Sequence, residues 1–301
     1  MPKYLDQKIK IGISACVFGC PVRYNKKGFD LLKGWGREKA DYIWYPVCPE
    51  SAAGLGVPRS PIRIIGHSGH DIWNNSGIIK NRDGKNVTDD IKFGCNSCLE
   101  TLKRAGVFAY IYMEGSPSCG VYRTTLRNRR LGSPPGVFGS LLLSEGFFLI
   151  PALDMESPLK AWDWRRRLKA FAWVKEVEIK NKRELFDFWH TIKFLCQEVD
   201  EKEARSIGFD LANSPKILTE EYINDLKHKI LMILRKPSST EKIKNRLWKH
   251  YVYLKRKAGI DIENVMDPSG LRNITHIANE VMEIEKKSKE LNLLFGSSPI
   301  L

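Results

Sequence analysis

Val107-Phe108-Ala109-Tyr110-Ile111-Tyr112-Met113-Glu114-Gly115-Ser116-Pro117-Ser118-Cys119-Gly120 is the stretch on which the reading of this chain turns. Val107 to Met113 is an apolar run of strand length, and Gly115 to Gly120 is a breaker-rich loop that ends it. A strand that stops at Ser-Pro-Ser-Cys-Gly sets a thiol on a tight, glycine-flanked loop at its carboxyl end, where the backbone can approach a ligand closely. The arrangement occurs twice more, in Lys10 to Cys16 and in Tyr42-Ile43-Trp44-Tyr45-Pro46-Val47-Cys48-Pro49-Glu50. As parallel neighbours in one open sheet, the three strands bring Cys16, Cys48 and Cys119 to the crevice beyond their carboxyl ends, where such folds bind ligands.

Working outward, residues 9–150 alternate short β-rich runs with helical stretches, the pattern of a Rossmann-like α/β domain with a largely parallel sheet and helices on both faces. Gly19 to Asn25 is a turn-rich loop that carries Arg23 and Tyr24 towards the same crevice. Phe29 to Lys39 reads as a short helix and Ile62 to Ile65 as a strand. Gly66 to Gly84 reads as loop and hairpin, with His67 to His70 a solvated turn. Val87-Thr88-Asp89-Asp90 offers the N-cap of a helix that Gly106 ends. Val137 to Glu145 is a further helix and Phe147 to Ile150 the last strand.

From Pro158 onward the apolar residues fall at three- and four-residue intervals, so an all-α domain follows. Leu185, Phe188, Trp189, Ile192 and Leu195 form one face, Ile223, Leu226, Ile230, Leu231 and Leu234 a second, and Ile243, Leu247, Tyr251 and Leu254 a third. The last helix is expected over residues 270–294. The division is drawn at 1–154 and 155–301.

Composition bounds the function. No apolar run approaches the ~20 residues of a membrane span, and Met1 to Asp6 has no signal-peptide core, so no membrane role and a cytoplasmic location are expected. Seven cysteines in such a chain point to metal or redox chemistry and not to disulfides. A net charge of +14, of which +9 lies in residues 1–150, favours a polyanionic partner. Lys229 to Lys257 adds ten basic residues against the single acid Glu241.

Cysteine thiolates are ligands of both zinc and iron–sulfur clusters, and three cysteines leave one coordination position open for Lewis-acid work. Glu50 and Ser116 ride on the same loops, a carboxylate and a hydroxyl suited to proton transfer beside a metal. The residues alone leave a second reading open, three ordinary buried cysteines at strand ends.

Ile13-Ser14-Ala15-Cys16, Val22-Arg23-Tyr24, Val47-Cys48-Pro49-Glu50, Gly54-Leu55-Gly56-Val57-Pro58-Arg59, Val87-Thr88-Asp89 and Ser116 to Gly120, in this order, resemble the YbbK/TudS family, whose studied members are thiouracil desulfidases. The resemblance implies a [4Fe–4S] cluster on Cys16, Cys48 and Cys119, with the substrate's thiocarbonyl sulfur on the unique iron. It implies catalytic roles for Glu50 and Ser116, and substrate binding by Ser14, Arg23, Tyr24 and Arg59. Met113-Glu114-Gly115 replaces the lysine-bearing approach usual in the family. Residues 155–301 resemble the YbgA-type helical domain that accompanies desulfidases of 4-thiouridine in tRNA.

The implied substrate is therefore a thiolated uracil base, in tRNA or free. Arg123, Arg127, Arg129 and Arg130, which follow Cys119 closely, and Lys244, Lys249, Lys255 and Arg256 in the later basic run are the expected RNA contacts. A non-catalytic RNA-binding or redox-sensing protein with a structural metal is the alternative. Cys95-Asn96-Ser97-Cys98 has metal-ligand spacing but falls within a helix, and Cys196 reads as core. Oligomeric state is not legible in the sequence.

Overall fold

In the computed structural model, residues 3–31, 39–125, 132–215, 217–259, 261–262 and 265–301 are described. Among these residues there are six strands: β1 (Ile9–Ser14), β2 (Tyr42–Val47), β3 (Ile62–Ile65), β4 (Ile78–Asn81), β5 (Ala109–Tyr112) and β6 (Phe148–Pro151). Four of them form a wholly parallel sheet in the order β2-β1-β5-β6. β5 is buried throughout and β1 nearly so, as the continuous apolar runs of central parallel strands require. Register does the rest. Ser14 pairs with Val47 and Ile13 with Ile111, so the loops carrying Cys16, Cys48 and Cys119 all leave the same edge of the sheet.

The helices of this unit are α1 (Pro49–Ala52), α2 (Gly69–Trp73), α3 (Thr88–Arg104) and α4 (Val137–Ser144). α3 turns Ile91, Cys95, Cys98, Leu99 and Leu102 into a core completed by Tyr110, Tyr112, Val137, Phe138 and Leu142. It ends at Gly106, whose φ of +73° is a conformation that glycine adopts freely.

One local expectation is corrected, and two expected elements take a form that the sequence did not specify. The segment 66–84 is not simply loop and hairpin: Ser68 caps α2 by accepting from His70 N at 3.1 Å, so His67 to His70 opens a helix. β3 stands outside the main sheet, antiparallel to β4. Val87 occupies the N-cap of α3 but has no side-chain acceptor, so Asn86 Oδ1 takes the Thr88 N–H at 3.0 Å. The helix expected over Phe29 to Lys39 lies largely outside the described residues.

Chain contacts divide the protein into Lys8–Glu156 and a second unit, Ser157–Leu301, which residues 3–7 join. The division thus falls two residues beyond 154. The N-terminal residues leave the α/β unit because Lys3 bridges to Ile300 and accepts from Leu301 N at 2.8 Å. The second unit comprises α5 (Pro158–Glu176), α6 (Lys182–Val199), α7 (Glu201–Ala212), α8 (Glu220–Leu234), α9 (Thr240–Ala258) and α10 (Ile274–Glu290).

The expected apolar faces of α6 and α9 are buried. On α8, Ile233 is buried with Leu226, Ile230 and Leu234, whereas Ile223 and Leu231 are half-buried. α10 starts at Ile274, after the Asn273 cap, because Arg272 and a turn at Asp267 to Gly270 hold the preceding carbonyls. α5 carries a buried charge cluster that apolar periodicity does not reveal. Asp163 accepts from Arg166 and Arg167, and Arg166 also reaches Glu198 of α6. Burial alone would raise the Asp163 carboxyl, but the two guanidiniums hold it below the usual carboxylate range.

Candidate active site

Cys48 is the N-cap of α1 and Glu50 lies in that helix's first turn, a helix that can start here because Pro49 has no N–H to leave unpaired. α1 rests directly on α3 at Gly94, where a Cβ would lie 2.2 Å from the Pro49 carbonyl. The loop after β1 carries Cys16, and the loop after β5 carries Ser116 and Cys119. These three loops, with Arg23, Tyr24 and Arg59, line one cavity of about 660 Å³. Every residue expected at the metal, catalytic and substrate positions lies on its wall.

The thiols crowd one another. Burial, followed by the neighbouring Cys48, pushes the Cys16 thiol up to about 11, against the opposing Arg23 guanidinium. Burial, then Cys48 and Cys16, raises the Cys119 thiol well above its ordinary value, while a hydrogen bond from Ser14 opposes the rise. Thiols that repel one another as anions take up a cationic group in place of their protons. All seven cysteines are free, so the three on the cavity wall are available as soft donors. Among the described residues no three His, Cys, Asp or Glu side chains converge on a point as a lone ion needs. The three cysteines line one cavity, and thiolates are ligands of zinc and of iron–sulfur clusters alike.

Glu50 is fixed on both oxygens. Oε2 accepts from Arg59 Nε at 2.8 Å and pairs with Nη2 at 2.7 Å, and Oε1 accepts from Ser118 Oγ at 2.8 Å. Arg59 has little left for a ligand, since its Nη1 donates to the carbonyls of Val22 and Gly56 at 2.8 and 2.9 Å. It ties the Arg23 loop, the Gly54 to Pro58 loop and the carboxylate together, with a side chain only 5% exposed.

The two serines of the Ser-Pro-Ser-Cys loop divide their work. Ser116 Oγ accepts from Ser118 N at 3.2 Å and Cys119 N at 3.1 Å, which sets the turn that aims Cys119. With its oxygen so occupied, the Ser116 hydroxyl, on the cavity wall, still has its proton to donate. Ser118, absent from the expected site, holds Glu50 together with Arg59. Its only sequence signal was a second hydroxyl in the same loop. Ser14 is buried as well as cavity-lining; its Oγ lies 3.3 Å from the Tyr110 hydroxyl and accepts from Met113 N at 3.3 Å. Glu114 is held by the main chain: its carboxylate accepts from Val121, Tyr122 and Arg123 N–H groups at 3.0 to 3.3 Å.

Cys95 and Cys98 are buried on α3 behind Cys48 and do not line the cavity. The Cys98 thiol, pushed up to about 12 by burial and then by Cys48, hydrogen-bonds to the Cys48 main chain. Cys196 is core, as expected. Of the expected RNA contacts, Arg123 is half-buried, and Arg127, Arg129 and Arg130 lie outside the described residues. Lys244, Lys249, Lys255 and Arg256 are on α9 of the other unit, where Lys255 pairs with Asp261 at 2.9 Å. The aromatics of that run split: Tyr251 is buried, Trp248 packs against the core and Tyr253 is exposed.

A family described as 2-thiouracil desulfurase matches residues 11–153, the span that holds all three cysteine loops. The uncharacterized protein YbbK of Bacillus subtilis (strain 168) is 31% identical over 152 residues, covering 49% of this chain and 98% of that protein. A solved structure described as a [4Fe-4S]-dependent thiouracil desulfidase, TudS, is 29% identical, covering 48% of this chain and 90% of that one, with a TM-score of 0.38. No helix among the described residues is long and apolar enough to cross a membrane. With a relative aligned over nearly its whole length and the family pattern spanning all four parallel strands of the sheet, this chain belongs to the 2-thiouracil desulfurase family.

Proposed function

We propose that the chain replaces the thiocarbonyl sulfur of a thiolated uracil base by oxygen, with a [4Fe–4S] cluster held by Cys16, Cys48 and Cys119. Its substrate is 4-thiouridine in tRNA, or free thiouracil and its nucleotides. The observation that carries the reading is the single cavity walled by three free thiols, a carboxylate held by Arg59 and Ser118, and the Ser116 hydroxyl. When bound, a cluster with three protein ligands supplies a Lewis acid for the substrate's sulfur.

The overall change is hydrolytic: one water adds its oxygen to the carbon, the carbon–sulfur bond breaks, and the sulfur leaves as hydrogen sulfide with both of the water's protons. No oxidant or reductant is consumed. Glu50, fixed in orientation, accepts a proton from the water as it attacks. The Ser116 hydroxyl donates a hydrogen bond to the base. Arg59 and Ser118 keep Glu50 in place, and Arg23, over the rings of Tyr24 and Phe29 at 5.8 and 4.6 Å, lines the cavity with Tyr24.

The charge of +14 and the cations Arg123, Arg127, Arg129, Arg130, Lys244, Lys249, Lys255 and Arg256 support a tRNA substrate. Seven free thiols support a reducing, cytoplasmic setting. Protein purified without oxygen should carry the broad visible absorbance of an iron–sulfur cluster and release sulfide from 2-thiouracil and from tRNA bearing 4-thiouridine. Replacing Cys16, Cys48 or Cys119 by Ser should bleach it, and Cys95→Ser should not; the reverse result sinks the assigned ligand set. The tRNA reaction should weaken with salt, with a slope in log affinity of roughly −0.9 per phosphate contacted, and a salt-independent reaction would remove the tRNA assignment.

A further inference from the structure

The helical unit contains a second cavity, of about 530 Å³, within the size range of small-molecule sites. α9 contributes Arg246, Lys249, His250 and Tyr253 to it, α6 contributes Phe194, and the segment after α10 contributes Leu293 and Leu294. No residue of the Lys8–Glu156 unit takes part.

Two features of the wall call for a ligand of one kind. First, it is cationic without a counter-ion: among the described residues neither Arg246 nor Lys249 forms an ion pair or a hydrogen bond. Glu198 and Glu201, whose charges act on Arg246, are themselves paired with Arg166 and Arg205. Arg246 is half-buried, and burial lowers its affinity for its proton, the mark of a desolvated cation short of an anion. Second, the wall presents ring faces. Phe194 and Tyr253 are 37% and 48% exposed; the Arg246 guanidinium lies over the Phe194 ring at 5.3 Å, and Tyr253 stacks on His250 at 6.0 Å. A bare phosphate leaves those rings wet, and an apolar ligand leaves the cations unpaired. A planar heterocycle joined to a phosphate satisfies both.

We infer that this cavity is a binding site for a nucleoside monophosphate unit, its phosphate on Arg246 and Lys249 and its base against Phe194 and Tyr253. The unit is either a free nucleotide or an unpaired residue of an RNA. The site is built from residues of the helical unit alone, and the inference does not need the tRNA reading to hold.

AMP is the probe, because a purine lacks the thiocarbonyl chemistry of the other cavity. In calorimetric titration of the full chain, purified without oxygen, AMP should bind saturably, and adenosine and inorganic phosphate should each bind about tenfold or more weakly. Arg246→Gln and Phe194→Ala should each weaken AMP about tenfold, with circular dichroism and melting unchanged. Lys249→Gln, at an exposed position that cannot disturb packing, should weaken it in the same direction. Binding in Glu50→Gln should equal the wild type.

Adenosine binding as tightly as AMP, phosphate matching AMP, or unaltered binding in both Arg246→Gln and Lys249→Gln would overturn the site. So would loss of AMP binding in Glu50→Gln, which would put the nucleotide in the other cavity. Displacement of AMP by a short single-stranded oligonucleotide at lower concentration assigns the pocket to RNA, and preference for AMP assigns it to a free nucleotide. Sulfide release from thiouracil is read separately, so failure here and failure of the desulfidase reading are distinct results.

Discussion

Ser118 Oγ donates to Glu50 Oε1 across 2.8 Å, joining the loop that follows β5 to the helix that follows β2. The bond spans 68 residues of sequence and fixes the orientation of a carboxylate on the cavity wall. Removing the hydroxyl leaves Glu50 held on one side only.

Ser118→Ala should therefore lower kcat about tenfold, the worth of a hydrogen bond to a charged group, with little change in KM and the thiol ligands intact. Ser118→Thr, which keeps the donor, should restore much of the rate. Glu50→Gln should fall further, on the order of 100-fold, as the proton acceptor itself is lost. An unchanged kcat in Ser118→Ala would remove the positioning role.

Arg59 supplies partners to Glu50 and to the carbonyls of Val22 and Gly56 from one planar fork. Arg59→Met should cost about 2–4 kcal/mol in urea unfolding, because it strands a partly buried carboxylate and two acceptors. Arg59→Lys should recover little, since an ammonium cannot serve three directions in that geometry. Full recovery by lysine would show that charge alone matters there.

Gly94 lets α3 approach the main chain of α1, where a Cβ would stand 2.2 Å from Pro49 O and 2.6 Å from Ala53 N. Gly94→Ala must displace α1 and with it Cys48 and Glu50. We expect a loss of about 1–3 kcal/mol and of desulfurase activity together. A stable, fully active variant would mean that α1 tolerates the shift.

In the helical unit, Glu198 is 4% exposed and accepts from Arg166, Ser238 and Ser297. Glu198→Ala leaves Arg166 with Asp163 as its remaining carboxylate and should cost about 3–5 kcal/mol. Chemical denaturation of the full chain measures it, and a loss under 1 kcal/mol would show that Asp163 suffices.

His250 hydrogen-bonds Ser288 Oγ at 3.0 Å, and burial pushes its imidazole down to about 4. The folded state keeps it neutral, whereas the unfolded chain takes a proton near pH 6.5. Stability from this group is thus complete above pH 6.5 and falls between pH 6.5 and 4, by up to roughly 3 kcal/mol. His250→Gln should flatten the melting temperature across that window relative to wild type; parallel curves would assign the acid sensitivity elsewhere.

The three cysteine loops were legible because buried parallel strands are written as short apolar runs, and Gly and Pro mark where each one stops. The faces of α6 and α9 were legible for the same reason, one-sided burial repeating at the helical period. α5 was different: its buried face includes Asp163, Arg166 and Arg167, so hydropathy could not report which side faces inward.

At the site, sequence put Ser116 beside Cys119 and Glu50 beside Cys48, since each pair shares a loop. Which hydroxyl meets Glu50, and that Arg59 spends its donors on the protein, depend on how far α1 and the loop after β5 advance past the sheet edge. That distance is set by register and by the contact at Gly94, interactions between residues tens of positions apart that no local pattern records. Local chemistry determined the strands, the turns and the thiols, and tertiary packing decided which side chains face the cavity and which hold those that do.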